Sequence, residues 1–164
     1  MSFYEKNKNK IKEGMFGEEY VRSLFIKDRI PFFQADTIFK IEDTWCLGEI
    51  KYQEIFEPGN NFSHYGHGLP KWQVDARLSL YEDTGIHPFL FIVEKSNKKY
   101  AHKTLFYNSL VAIERICLPN CEGTIYYDTQ GKKKRRVYNV KNFFVYEGED
   151  LEEKIKRILK EVED

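Results

Sequence analysis

The order of its elements predicts an α/β fold: a mixed central β-sheet flanked by helices, then a β-rich C-terminal extension and a terminal helix. Three observations carry this expectation. Residues 31–41 and 44–52 are both rich in aromatic and β-branched side chains, and Glu42-Asp43 between them suits a tight hairpin turn. Residues 88–93, Pro-Phe-Leu-Phe-Ile-Val, form an almost wholly apolar run, the pattern of a buried strand. Stretches of helical period lie before the hairpin and between it and that strand.

Residues 1–12 are polar and lysine-rich, fitting a loose arm or an extra helical turn. A helix then fits residues 12–27, with Val21, Leu24 and Phe25 as its apolar stripe and Gly17 near the middle of that face. At 100° per residue, Glu18 falls at the edge of the stripe and Glu19 on the solvent side. An acid at the rim of a buried face either leans over a neighbouring sheet or merely flanks the core, and both readings stay open for Glu18. After the hairpin, residues 53–69 read as a long linker, because Pro58-Gly59-Asn60-Asn61 and Gly66-His67-Gly68 are turn-forming and helix-breaking. A loop of that length inside a domain is usually functional or disordered.

Pro70 suits the first turn of a second helix that ends before Gly85. Trp72, Gln73, Ala76 and Leu80 fall on one side of it, and Val74, Leu78 and Tyr81 on another, which predicts a helix sandwiched between apolar surfaces. Gln73 then points inward and needs a hydrogen-bonding partner. Beyond the strand at 87–94 come short apolar and aromatic segments around 104–107, 110–116, 123–127 and 137–146. The last two flank Asp128-Thr129-Gln130-Gly131-Lys132 as a hairpin with a basic arm. A terminal helix carries Leu151, Ile155, Ile158 and Val162 on one stripe, with Asp150 and Glu153 as a capping pair.

A chain of 164 residues with 41% hydrophobic and 16% aromatic content suits one ordinary domain and argues against disorder. No apolar run approaches a membrane span and no signal-peptide core is present, so the expectation is a cytoplasmic protein with no membrane partner. Three cysteines cannot all pair within one chain, which favours reduced thiols. Net charge is zero, but residues 147–164 hold eight acids and four bases, so residues 1–146 carry +4. The densest basic run is Lys132-Lys133-Lys134-Arg135-Arg136. Such a run either keeps a loop soluble or contacts phosphates. His67 and Lys71, near the long linker, are further candidates for nucleic-acid contact. His64 and His67 with Cys117 and Cys121 have the residue types of a zinc set, but their spacing is loose. No Gly-x-Ser-x-Gly turn signals a nucleophilic Ser-His-Asp or Cys-His site, and no phosphate-binding loop occurs, so no nucleotide cofactor is expected.

Asp36, Glu49 and Lys51 carry the chemistry. Side chains alternate along a strand, so Glu49 and Lys51 share a face, and antiparallel pairing brings Asp36 beside them. Two carboxylates at one point repel unless a cation joins them, and an ammonium nearby can hold or activate a water. That combination suits metal-assisted hydrolysis of a phosphodiester. The plainer reading is three solvated strand positions. In a chain that is 32% charged, a second acid-x-Lys triplet, Glu152-Glu153-Lys154, occurs in the terminal helix without catalytic meaning.

The pattern resembles the PD-(D/E)xK nuclease superfamily, with spacing most like the archaeal Holliday-junction resolvases. The resemblance covers residues 14–94, from Gly17-Glu18 through Asp36 and Glu49-Ile50-Lys51 to Gln73; residues 95–164 form an unmatched extension of the same single domain. Ala35 stands where that superfamily usually has Pro before the Asp, a position that shapes the turn and binds no metal. The resemblance implies a restriction-endonuclease-like core and a metal-dependent DNase; resolvase-like spacing favours branched DNA and a homodimer, while restriction, repair and phage-recombination nucleases share the same core. It implies Mg²⁺, with Mn²⁺ as a substitute, held by Asp36, Glu49 and the backbone carbonyl of Ile50. In it Glu18 binds a second ion or a metal-bound water, Lys51 orients or helps deprotonate the attacking water, and Gln73 steadies the substrate or Lys51. The alternative is a non-catalytic nucleic-acid-binding or assembly module that keeps the fold.

Overall fold

The computed structural model of the protein describes residues 8–9, 16–17, 19–21, 23–30, 35–59, 64–95, 104–120, 123–127 and 134–164, with side chains described outside 117–134. The chain forms two compact units, Met1–Gln34 and Ala35–Asp164. In the first, residues 16–17, 19–21 and 23–27 are helical (α1), as expected, but Val21 and Leu24 of the expected apolar stripe are exposed. Glu18 lies outside the described residues.

The second unit is α/β. A hairpin of β1 (Thr37–Ile41) and β2 (Thr44–Gln53) is followed by β3 (Gly66–Pro70), α2 (Lys71–Thr84) and β4 (His87–Glu94). Next come β5 (Thr104–Ser109), α3 (Leu110–Asn120), β6 (Gly123–Tyr127), β7 (Lys134–Asn139), β8 (Phe144–Val145) and α4 (Leu151–Glu163). The larger sheet is mixed, in the order β1-β2-β4-β5-β8, with β2 and β4 parallel and its other neighbours antiparallel. A parallel pair needs a crossover, and α2 supplies it. The smaller sheet has the order β3-β7-β6.

Alternation along the strands divides the core into two layers. Leu90, Ile92 and Phe106 face one side, where they pack with Val74 of α2, Leu110 and Ile113 of α3, and Leu69 and Tyr138 of the smaller sheet. Cys46, Phe89 and Tyr107 face the other, against Ile155, Ile158, Leu159 and Val162 of α4. Cys46 is a free, buried thiol whose pKa burial raises to about 11, which makes it unreactive. Among the described residues no helix is long and apolar enough to cross a membrane.

Several expectations are corrected. Residues 66–69, read as linker, belong to strand β3, which runs on to Pro70. Their glycines are the cause: a Cβ at Gly68 would overlap the Arg136 carbonyl, so only glycine lets β3 and β7 pair this closely. Residues 110–116, read among β-rich segments, open α3, because a short apolar run does not by its period distinguish strand from helix. Trp72 is 65% exposed whereas Arg77 is buried, so α2 is not sandwiched as its apolar residues suggest. Asp150 adopts a left-handed conformation at the start of α4 and makes no side-chain capping bond; Glu153 pairs with Lys156 instead. The 128–132 turn lies outside the described residues, but β6 and β7 on either side of it pair antiparallel.

Candidate active site

The hairpin register ends with Thr37 opposite Gly48, and one more step would place Asp36 opposite Glu49. The Asp36 side chain takes over where the backbone ladder stops: its Oδ2 accepts the Ile50 N–H at 2.8 Å. Asp36 is exposed, and among the described residues its second oxygen has no bonded partner. The N–H and C=O of one strand residue point to the same edge, so the Ile50 carbonyl also faces the edge that Asp36 occupies. Asp36 is thus joined to Ile50, the residue between Glu49 and Lys51.

Glu49 is a different kind of acid. It lies between Leu47 and Lys51 on the face covered by α2 and is only 4% exposed. Its charge is held by two cations. Arg77 of α2 gives both Nε (3.0 Å) and Nη2 (2.6 Å) to Oε2, and the Lys51 ammonium lies 3.0 Å from Oε1. A buried carboxylate survives desolvation only with such partners, and removing one of them typically costs about 3–5 kcal/mol. Lys51 remains a quarter exposed, so the ammonium bridges the buried acid and the surface.

Arg77 is the participant that sequence reasoning missed. The signal was there: Arg77 follows Gln73 by four residues and precedes Leu80 by three, so it belongs to the inward stripe. Gln73 does carry an inward polar group, since its Oε1 is buried with no hydrogen-bond partner among the described residues.

The oxygen donors present are the open Asp36 oxygen, the Ile50 carbonyl and the remaining acceptor capacity of Glu49 Oε1. They fit a hard divalent ion such as Mg²⁺ in kind. Among the described residues no cluster of three His, Cys, Asp or Glu side chains suits a metal, so further ligands there would be waters or groups outside them.

The proposed nucleic-acid contacts fare unevenly. His67 is fully buried, with Nε2 2.6 Å from Glu94 Oε2 and Nδ1 3.0 Å from Gln53 Oε1, and so does not present a surface to DNA. Both bonds follow from β3 lying against β2 and β4. Gln53 is oriented by Gly68, whose N–H its Oε1 accepts and whose carbonyl takes its Nε2–H. Both ring nitrogens therefore face acceptors, which calls for one proton on Nδ1 and one in the His67–Glu94 link. Burial lowers the His67 pKa, and the Glu94 contact opposes that fall. His67 is thus no zinc ligand in this arrangement.

Arg136 is likewise committed. Its guanidinium bonds Glu114 at 2.8 Å, beside the Tyr138 hydroxyl on the same carboxylate. The basic pentad is therefore not one continuous surface patch. Arg135 lies over the Phe56 ring at 5.8 Å, Lys134 opens β7, and Lys132 and Lys133 lie outside the described residues. Lys71 stays near the surface, paired with Asp75 one turn on.

Comparison with known proteins finds no matching family model, no similar curated protein and no similar solved structure.

Proposed function

We propose that the protein is a metal-dependent DNA endonuclease with a restriction-endonuclease-like core. The observation that carries this reading is the bond from Ile50 N–H to Asp36, which joins the two halves of the acid and acid-x-Lys pattern across β1 and β2. Asp36, Glu49 and the Ile50 carbonyl would hold Mg²⁺, or Mn²⁺ in its place. Bound there, the ion supplies a more acidic water and offsets charge building on the phosphate. Glu49 keeps Lys51 aimed at the site, and the Lys51 ammonium orients the attacking water and neutralises a phosphate oxygen. Gln73 steadies the substrate or Lys51. Branched DNA as substrate, a homodimeric assembly and a cytoplasmic setting complete the proposal.

A second reading, a non-catalytic nucleic-acid-binding module, draws support from Glu49, whose charge is already balanced by Arg77 and Lys51. Incubation with linear, single-stranded and four-way-junction DNA, in Mg²⁺ or EDTA, separates the two. The expected result is cutting in Mg²⁺ alone, reduced about 10²–10⁴-fold in Lys51→Ala while DNA binding persists. Binding without cutting in Mg²⁺ selects the module.

A further inference from the structure

Asp36, Glu49, Lys51 and Arg77 bring two charges of each sign into the site. Of the roughly four acceptor positions of the Glu49 carboxylate, Arg77 takes two and Lys51 a third. The Arg77 and Glu49 side chains are only 8% and 5% exposed, so water screens neither, and a cation arriving beside Glu49 also meets the charge of Arg77. Asp36 alone offers an open carboxylate oxygen. A divalent ion on these ligands lacks the anionic charge that would hold it tightly, and a phosphate group would supply what is missing.

We propose that Arg77 is the built-in counter-charge of Glu49, a positioning residue that makes divalent-metal binding conditional on phosphate. The proposal rests on the nuclease reading of the same site and adds an order to it: metal and phosphate bind cooperatively, and neither binds well alone. Arg77 has two effects. Its fork keeps Glu49 in place when no metal is bound, and its charge weakens the site for a metal that arrives without substrate.

The test is calorimetric titration of Mn²⁺ into the full chain and into Arg77→Met. Each is measured alone and with deoxythymidine 5′-monophosphate, whose phosphate monoester offers no phosphodiester to cut; titration into the nucleotide alone is subtracted. For the wild type, Mn²⁺ affinity is expected to rise about tenfold with the nucleotide. Arg77→Met should bind Mn²⁺ about tenfold tighter than the wild type without nucleotide and gain less than about threefold from adding it. Removing the fork leaves Glu49 buried beside Lys51 alone and can unfold the chain, so Arg77→Lys is measured alongside. It keeps the charge but loses the second N–H, so its nucleotide-free affinity should stay within about threefold of the wild type and the gain on adding nucleotide should persist. Equal wild-type affinity with and without nucleotide overturns the proposal, as does a folded Arg77→Met that binds no tighter than the wild type or an Arg77→Lys that loses the nucleotide coupling. Mn²⁺ binding without coupling sinks this proposal alone. No Mn²⁺ binding under any condition sinks the nuclease reading with it.

Discussion

Glu49, Lys51 and Gln53 are successive side chains on one face of β2, yet they belong to two differently built clusters. At the Gln53 end, His67, Glu94 and the Gly68 backbone satisfy one another, and His67 and Glu94 are almost fully shielded from water. At the Glu49 end the acid is buried but Lys51 reaches the surface and Asp36 is exposed, with an oxygen to spare. The closed network ties the smaller sheet to the larger one. The open one presents charge and acceptor capacity where a strand pairing has run out. Burial of charge therefore marks no site by itself; what distinguishes a site is a buried, oriented group next to one that is left incomplete.

If this contrast is right, damage to the closed cluster should appear in stability and damage to the open one in chemistry. The largest effect is expected from Glu94→Ala, which leaves the buried His67 ring without its 2.6 Å partner. Urea unfolding should show a loss of about 3–5 kcal/mol, and a loss below about 1 kcal/mol would mean that the network is not holding the sheets together. Asp36→Asn keeps an acceptor for the Ile50 N–H but removes the exposed charge. Mg²⁺-dependent DNA cutting should fall about 10²–10³-fold, with stability changed by no more than about 0.5 kcal/mol. Undiminished cutting by Asp36→Asn would remove the open cluster from consideration as the catalytic site.

A third cluster sharpens the comparison through pH. His87 is buried on the opposite face, bonded to Ser109 Oγ at 2.6 Å, and its pKa is lowered to about 4 by burial and then by the Arg115 charge. Between that value and the ordinary 6.5 the unfolded chain binds the proton more readily, so stability rises with pH across this window. Acidification from about pH 6.5 to pH 4 should therefore cost on the order of 3 kcal/mol through this group and level off below. Chemical denaturation at a series of pH values checks this, and His87→Gln should flatten the slope within that window.

The elements that sequence foresaw are those with strong local grammar. Gly85 ends α2 in a left-handed conformation, Glu42-Asp43 turns the hairpin, and residues 87–94 form a strand. The stripe of α4 is buried at Ile155, Ile158 and Val162 as its period requires. Where local grammar pointed the wrong way, a partner distant in sequence decided the outcome. Gly66-His67-Gly68 reads as a loop until β7 lies beside it, and the basic run reads as a surface patch until Glu114 binds Arg136.

The same division holds at the candidate site. Sequence alone determined which residue types were available and which could share a strand face, because side-chain alternation is a property of the backbone: Glu49 with Lys51, and Asp36 one register step away. Only the tertiary structure decided that Glu49 is buried, that Arg77 and Lys51 balance its charge, and that His67 turns inward to Glu94. Those outcomes depend on desolvation and on pairings across 28 and 27 residues of chain, which no local pattern encodes.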